Sequence, residues 1–309
     1  MTGSASSLPV TDSPGAWLMA IRPKTLPVGA APILVGVAVA EASAVSGIRF
    51  DLALLCLITA LLLQILSNLA NDFFDFKKGA DTSARLGPPR AMQQGFISRS
   101  RMKAGIATVT GLSALTGGVL VWHGGWPYVV LGILAIVSAI AYTGGPFPLG
   151  YNGLGDIFVF LFFGLVAVVG TAHLCVGHIP IIAWPAASAM GLLAVNLLVV
   201  NNVRDEHQDR VNGKKTVIAR WGKKFGVLQY ALGLLLAYMC VGAIASLTGN
   251  YYVFLTGIIA GIGVNNLKRL VVSNGKALNP VLGKTALFTF LFGVILSAAL
   301  VCPSFLQVS

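Results

Sequence analysis

The chain has 309 residues, of which 56% are hydrophobic and 10% are charged, and its mean hydropathy is +0.83. This composition excludes a soluble globular domain, because apolar runs of roughly 20 residues, long enough to cross a bilayer, recur along the whole sequence. The formal net charge of +11 would suggest a nucleic-acid partner in a soluble protein, so the positions of the basic residues must be examined before their sign.

Nine apolar segments predict an all-α polytopic membrane protein with nine transmembrane helices. Residues 1–16 form a polar tail without a secretory or transit pattern, and we expect residues 17–309 to form one membrane domain. The nine segments are Leu26–Ala42, Leu52–Ala70, Ala104–Trp122, Tyr128–Tyr142, Ile157–Val176, Ile181–Val200, Val227–Leu247, Tyr252–Val272 and Leu287–Val301.

The distribution of lysine and arginine supports this topology. With the N-terminus in the cytoplasm, all of the 21 basic residues except Arg49 fall in the N-terminal flank or in the loops after segments two, six and eight. Cytoplasmic loops are enriched in Lys and Arg, so we predict a multi-pass protein of the cell (inner) membrane with a cytoplasmic N-terminus. Topology therefore explains the positive charge, and we expect no nucleic-acid partner.

Acidic residues are scarce, and six of the ten lie in two short segments that directly follow apolar runs: Asp72, Asp75, Asp81, Asp205, Glu206 and Asp209. In each segment an asparagine precedes an aspartate by four residues, and helical spacing places the set on one face. The sets are Asn68, Asp72 and Asp75, and Asn201, Asp205 and Asp209. Both lie at cytoplasmic helix ends, where the helix dipole adds partial negative charge, so a divalent cation would relieve the repulsion.

The four aspartates of these faces are therefore predicted as metal ligands and catalytic residues, because Mg²⁺ prefers carboxylates, waters and phosphate oxygens. Basic residues that would hold phosphate flank both faces: Lys77, Lys78, Arg85, Arg90, Arg204, Arg210, Lys214 and Lys215. Acids for metal beside bases for phosphate are typical of a diphosphate site. Any one of these residues, taken alone, is as well explained by loop solvation, and the pairing of the two sets favours the site.

Several stretches together are similar to the UbiA superfamily of intramembrane prenyltransferases. They are the two aspartate segments with Gly79-Ala-Asp81 and Gly213-Lys-Lys-Thr216, the stretch Arg85-Leu-Gly-Pro-Pro-Arg90, and the opening Arg22-Pro-Lys-Thr-Leu-Pro27. Within the superfamily they most resemble the branch that prenylates 1,4-dihydroxy-2-naphthoate in menaquinone biosynthesis. The resemblance extends from about Trp17 to the last apolar segment.

The resemblance implies nine helices around a central cavity with cytoplasmic cap loops. It further implies that Mg²⁺ bridges the diphosphate of an allylic polyprenyl donor, that the diphosphate leaves, and that an electron-rich carbon of the naphthoate attacks the allylic cation with loss of CO₂. Metal ligands would be Asp72, Asp75, Asp205 and Asp209. Substrate-binding residues would be Asn68, Lys77, Asp81, Arg85, Arg90, Tyr142, Tyr151, Asp156, Asn201, Arg204, Arg210, Lys214 and Lys215.

The loop from Tyr142 to Asp156 is dense in Gly and Pro and lies on the predicted cytoplasmic side. It either covers the site, in contact with the acceptor through residues such as Tyr151, or only turns tightly. Related prenyltransferases often carry a lysine shortly after the tyrosine, and this chain has none, which leaves the handling of the acceptor open.

Two alternatives stay open at the level of the sequence. One is a prenyltransferase of the same superfamily that uses 4-hydroxybenzoate or homogentisate as acceptor. The other is a multi-pass transporter, which would carry its ionisable residues near the bilayer midplane, whereas here the acids lie at one interface. We expect a polyprenyl diphosphate, the aromatic acceptor and membrane lipid as partners, while donor length and oligomeric state do not follow from the sequence.

Overall fold

The computed structural model describes residues 11–45, 47–79 and 85–306, and every regular element within these ranges is helical, as predicted. In chain order the α-helices are α1 (Pro14–Ile21), α2 (Leu26–Ser43), α3 (Phe50–Lys77), α4 (Arg99–Gly124), α5 (Trp126–Ala141), α6 (Gly155–Phe160), α7 (Ala167–Val176), α8 (Ala183–Val211), α9 (Val217–Thr248), α10 (Ala260–Val272) and α11 (Asn279–Leu306). A π-helical turn, Leu161–Val166, joins α6 to α7, and short 3₁₀ turns precede α2, α10 and α11.

Eight helical stretches within the described ranges are long and apolar enough to cross a membrane. They are Pro14–Ser43, Phe50–Lys77, Arg99–Gly124, Gly155–Val176, Ala183–Val211, Val217–Thr248, Tyr251–Val272 and Gly275–Cys302. The fourth predicted segment corresponds to the shorter apolar helix α5, which has 16 residues. The protein is therefore an integral membrane protein, and each of the nine predicted segments has a helical counterpart.

Local sequence chemistry determines where several helices begin and end. The side chains of Ser13, Ser98 and Thr216 cap α1, α4 and α9 by accepting a hydrogen bond from the amide three residues further on. Gly177 and Gly249 end α7 and α9 in the left-handed conformation, with φ of 78° and 68°. These caps satisfy backbone groups that are costly to leave unpaired near a bilayer.

Helix α8 lies at the centre of the fold. It is the most buried of the membrane-spanning helices and packs along α9, with further contacts to α2 and α11. Small residues such as Ala186, Ala187 and Ala189 are fully buried on it and allow close helix approach. Helix α4, by contrast, buries little of its surface, so it lies at the periphery.

The succession of helices separates two ends of the molecule. At one end the backbone amide of Arg49, just before α3, donates to the carbonyl of Cys175 near the end of α7. At the other end the last turns of α3 and α8 carry Asp75 and Asp209. Packing thus brings the two acidic segments to the same end, opposite the one basic residue that the topology prediction left outside.

Candidate active site

One tyrosine connects the two acidic segments. The hydroxyl of Tyr151, in the loop between α5 and α6, donates a hydrogen bond of 2.9 Å to Oδ1 of Asp75. The ammonium of Lys214 lies 4.6 Å from the centre of the Tyr151 ring and pairs with Asp209 at 3.6 Å from Nζ to Oδ1. The two acidic segments are therefore connected through this loop. Of the two interpretations of the loop, contact with the site is the one that the structure favours over a tight turn alone.

The first segment holds two deeply buried carboxylates. Asp72 is 1% exposed and accepts hydrogen bonds from the amides of Ala91 and Met92, at 3.1 and 3.3 Å. Asp75 is 4% exposed and pairs with Arg90, with 3.0 Å between Oδ2 and Nη2. A buried charge is tolerated when it is paired and hydrogen-bonded, so these contacts fold the chain around Arg90 back over the end of α3.

The second segment is organised around the buried guanidinium of Arg204. Its Nε and Nη2 donate to the two carboxylate oxygens of Asp205 at 2.8 and 2.6 Å, and Nη2 also donates to Oδ1 of Asn201 at 2.8 Å. Its Nη1 donates to Oδ1 of Asn279 at 3.0 Å, and the amide of Asn279 donates to the carbonyl of Leu86 at 2.9 Å. Arg204 therefore ties α8 to the start of α11, and through it to the chain before Arg90.

Lys78 is the second cation, after Lys214, that lies over the Tyr151 ring. Its ammonium lies 4.1 Å from the centre of the ring and donates a 2.6 Å hydrogen bond to the carbonyl of Thr143. Partial burial lowers the pKa of Lys78, the nearby charge of Asp75 raises it, and that of Lys214 lowers it again. Two ammonium groups thus share one aromatic ring beside Asp75, where they could donate to phosphate oxygens.

Tyr142 lies where the loop meets the membrane-spanning region. Glycines allow its close packing, because a Cβ at Gly155 would lie 2.8 Å from the tyrosine hydroxyl oxygen and one at Gly150 would lie 2.9 Å from the ring. A tyrosine hydroxyl both donates and accepts hydrogen bonds, and Tyr142 lines the cavity below the aspartates.

A cavity of about 330 Å³ lies directly beneath these groups, between α2, α3, α4, α5, α6 and α7. Asn71 and Tyr142 line it near the aspartates, and Cys56 and Leu174 line its far part. Asn71 and Cys56 are 15 positions apart on α3, which corresponds to about 22 Å along the helix. Most of the lining is apolar, so the cavity suits a long hydrocarbon chain below a charged mouth.

Several predicted site residues are placed elsewhere or have other partners. Arg210 donates through Nε to the carbonyl of Ala219 at 2.7 Å and pairs with Glu206 at 2.8 Å, so it binds the start of α9. Asp156 accepts a 2.9 Å hydrogen bond from Gln229. Lys77 and Lys215 are exposed, and Lys215 donates its backbone amide to the carbonyl of Tyr151. Arg85 donates through Nε to the carbonyl of Pro88, and Asn68 donates through its side-chain amide to the carbonyl of Ile21 and to Thr25. Asp81 lies outside the described residues.

Two residues at the site, Asn71 and Arg22, were not among the predicted ones. Of the two lysines predicted to hold phosphate at the end of α3, it is Lys78 that lies over the Tyr151 ring. Asn71 lines the cavity while accepting a 2.8 Å hydrogen bond from Thr143. Arg22 is close enough to Asp72 to interact with its carboxylate, and it has the left-handed backbone conformation with φ of 57°. Such a φ is uncommon outside glycine, and no sequence pattern predicts it. Asn71, in contrast, could have been recognised from the sequence as the neighbour of Asp72.

The donor set fits magnesium that is bound together with a diphosphate. Among the described residues, no three acidic, histidine or cysteine side chains converge on one point, and the four aspartates contact cations or backbone amides. Mg²⁺ commonly takes only one or two protein carboxylates and completes its octahedron with waters and substrate phosphate oxygens. The carboxylates at the ends of α3 and α8 could supply those protein ligands.

Comparison with known proteins finds a family match and relatives that cover most of the chain. Residues 30–292 match the family described as "UbiA prenyltransferase family". The chain is 45% identical to the 1,4-dihydroxy-2-naphthoate octaprenyltransferase of Escherichia coli (strain K12), over 73% of this chain and 75% of the relative. It is 36% identical to the enzyme of the same name from Haemophilus influenzae, over 92% and 95%.

A solved structure shares the fold at low sequence identity. A UbiA homolog from Archaeoglobus fulgidus bound to DMAPP and Mg²⁺ superposes with a TM-score of 0.61 at 17% identity, covering 91% of this chain and 99% of that one. The likeness shows that the helical architecture is common to both chains.

Proposed function

Because the chain belongs to the UbiA prenyltransferase family, we propose that it transfers a polyprenyl group from an allylic polyprenyl diphosphate to 1,4-dihydroxy-2-naphthoate, with loss of CO₂, to give demethylmenaquinone. The observation that carries this proposal is the pair of aspartate segments joined through Tyr151 above an apolar cavity. The shared name of the relatives at 45% and 36% identity supports the naphthoate as acceptor.

At the mouth of the cavity, the chain binds and orients the diphosphate. Lys78 and Lys214, both over the Tyr151 ring, donate hydrogen bonds to its oxygens and stabilise the charge that grows there as the carbon–oxygen bond breaks. Asp72, Asp75, Asp205 and Asp209 would hold Mg²⁺, which supplies further neutralisation of the leaving diphosphate when bound. Arg90 and Arg204 keep Asp75 and Asp205 in place.

Inside the cavity, the chain excludes water from a reactive cation. The carbon–oxygen bond breaks with its electron pair on the diphosphate, and a carbon–carbon bond forms between the allylic carbon and an electron-rich ring carbon. The ring regains its electrons when the carboxylate leaves as CO₂. Apolar walls that hold the isoprenoid tail also keep water away from the cation, so no covalent protein nucleophile is needed.

We place the end with the aspartates in the cytoplasm and the protein in the cell (inner) membrane. Arg49 lies at the opposite end, hydrogen-bonded to Cys175 and paired with the exposed Asp51, and every other lysine and arginine belongs to the predicted cytoplasmic flank or loops. Positive residues favour the cytoplasmic side. A soluble aromatic acid would then reach the mouth from the cytoplasm, and a lipid-soluble donor from the bilayer.

The direct test offers purified protein one polyprenyl diphosphate and three acceptors in separate reactions. We expect prenylation of 1,4-dihydroxy-2-naphthoate with release of CO₂, and loss of turnover when EDTA removes Mg²⁺. Prenylation of only 4-hydroxybenzoate or homogentisate would contradict the acceptor assignment and leave the prenyl transfer intact. No consumption of the diphosphate with any acceptor would contradict the enzymatic proposal and favour the transporter alternative.

A further inference from the structure

Gln64 is a polar residue of the cavity that the proposed chemistry leaves without a role. It lies on α3 four residues before Asn68, so the two side chains share a helix face, and both line the cavity. Its Oε1 is buried and has no hydrogen-bond partner in the part of the chain that the structure describes. No other described residue of the cavity lining has a buried polar atom in this state.

The neighbouring amides nearer the aspartates already have protein partners. Asn68 donates to the carbonyl of Ile21 at 2.9 Å and to Oγ1 of Thr25 at 3.1 Å, and Asn71 accepts from Thr143 at 2.8 Å. These contacts attach α3 to the turn before α2 and to the loop after α5. Gln64 lies one turn deeper, and its side chain makes no such hydrogen bond to another described residue.

The surroundings leave the Gln64 amide open to a ligand. Gly29 of α2 faces it, and even a Cβ at Gly29 would only come within 3.8 Å of Oε1. Leu63, Ala60, Phe162 and other apolar side chains line the neighbouring wall. A buried amide oxygen without a partner in such a setting costs free energy, so the site gains when a ligand supplies the missing hydrogen bond.

We propose that Gln64 binds the hydroxyl group of the acceptor ring that lies farther from the acceptor carboxylate, a role that rests on the proposed function. A hydroxyl suits this position because it both donates and accepts hydrogen bonds, whichever way the amide is turned. The acceptor carboxylate belongs beside Asn71, which lines the cavity and whose Oδ1 already accepts from Thr143, so that its side-chain NH₂ can donate to the carboxylate. Asn71 is seven positions after Gln64 on the same face of α3, about 10 Å along the helix. An aromatic ring with its carboxylate at Asn71 and a hydrogen bond at each end therefore brings its distant hydroxyl to Gln64.

This contact would also favour the reaction itself. When the ring carbon bonds to the allylic carbon and diphosphate leaves with the electron pair, positive charge spreads over the ring until CO₂ departs. The ring hydroxyl becomes more acidic during that interval, so its hydrogen bond to Oε1 strengthens in the transition state while the proton stays on oxygen. Gln64 is therefore a residue that recognises the acceptor rather than one that exchanges a proton with it.

The test compares two acceptors in two proteins with the same polyprenyl diphosphate and Mg²⁺. The acceptors are 1,4-dihydroxy-2-naphthoate and 1-hydroxy-2-naphthoate, which lacks the distant hydroxyl, and the proteins are the wild type and Gln64→Leu. Removing the hydroxyl changes the intrinsic reactivity of the ring by the same factor in both proteins, and this change cancels in the ratio of their kcat/KM values. We expect the wild type to prefer the dihydroxy acceptor about tenfold more strongly than Gln64→Leu does.

Two controls keep the outcome clear. Gln94→Leu, at an exposed glutamine outside the cavity lining, should retain the wild-type preference, and the donor KM of Gln64→Leu should stay within about twofold of wild type. An equal preference in wild type and Gln64→Leu, with both proteins active, would overturn the role of Gln64 alone. Failure of the wild type to prenylate the dihydroxy acceptor at all would overturn the proposed function, and this role with it.

Discussion

At the scale of single residues, the site is built from charges that have partners within the protein. Asp75 shares its two oxygens between Arg90 and Tyr151, and Asp205 shares both of its oxygens with Arg204. Each of these carboxylates binds a cationic side chain of the protein and is also proposed to bind a metal ion. Substitutions at these positions should therefore affect folding and catalysis to different degrees.

Asp75→Asn should separate those two effects. We expect turnover to fall by about 10²-fold or more, because the charge that a magnesium ligand supplies is lost. We also expect lower thermal stability, since the buried Arg90 loses its counter-charge. Prenyl transfer and thermal unfolding in detergent measure the two effects.

A second substitution should restore stability alone. Asp75→Asn combined with Arg90→Gln removes the uncompensated charge, so the melting temperature should recover while turnover stays low. Asp51→Asn, at the exposed opposite end of α3, is the control and should change turnover little. Near-normal, magnesium-dependent turnover in both Asp75→Asn and Asp205→Asn would refute the metal role of the two segments.

The lowered pKa of Lys78 predicts an alkaline limit on donor binding. A lysine whose pKa is lowered loses its charge, as the pH rises, below the usual lysine value of about 10.4. The donor KM of the wild type should therefore begin to rise at a lower pH than an unperturbed lysine would give. Lys78→Arg should abolish that rise, because a guanidinium stays charged there.

Lys77 provides the matched comparison for this prediction. It is the exposed neighbour of Lys78, and the family resemblance implied that it binds substrate. Lys77→Arg should keep the wild-type pH profile of donor KM. A profile that changes with Lys77→Arg and not with Lys78→Arg would assign the alkaline limit on donor binding to Lys77 instead of Lys78.

At the scale of elements, the loop between α5 and α6 joins two helix ends that are distant in sequence. Tyr151 contacts Asp75 of α3 through its hydroxyl and Lys214 after α8 through its ring, and its carbonyl accepts the backbone amide of Lys215. Gly153, with φ of 82°, and the close packing of Gly155 on Tyr142 give the loop its tight path. The loop therefore determines the spacing between the two aspartate segments.

Tyr151→Phe and Tyr151→Leu should differ in their effect on donor kcat/KM. Phenylalanine loses the hydrogen bond to Asp75 but keeps an aromatic face for Lys78 and Lys214, so we expect a loss of up to about tenfold. Leucine also removes the cation–π contacts, each about 0.5–2 kcal/mol, and should cost at least a further fivefold or so. Equal losses in the two variants would mean that the ring does not position the lysines.

At the scale of the whole molecule, charge and hydropathy divide the protein into two ends. The eight long apolar helices and α5 cross between them, with the aspartates and the mouth of the cavity at one end and Arg49 at the other. Such an arrangement lets a lipid-soluble tail lie within the membrane while its charged head remains at the interface.

Reporter fusions test the proposed orientation of these ends. A reporter inserted near Gly213, in the turn after α8, should be read out in the cytoplasm. A reporter fused to the C-terminus should be read out on the opposite side, because three predicted spans, an odd number, separate Gly213 from the C-terminus. The same side for both fusions would contradict the nine-span topology.

The sequence by itself determined the membrane class, the nine helical segments, the family and the pairing of the two aspartate segments. Each of these depends on hydropathy, charge bias or helical spacing within short windows of sequence, which do not need the fold to be known. For the same reason, the faces Asn68 to Asp75 and Asn201 to Asp209 can be recognised from residue spacing alone.

Only the tertiary structure decided which neighbours those residues have. The hydrogen bond from Tyr151 to Asp75 joins positions 76 residues apart, and the choice of Lys78 over Lys77 depends on how the last turn of α3 meets the loop. Arg210 contacts the start of α9, whereas the Oε1 of Gln64 has no hydrogen-bond partner among the described residues, because packing supplies a partner to one side chain and not to the other. Local patterns record the character of a helix face, whereas the partners of its side chains follow from packing between distant segments.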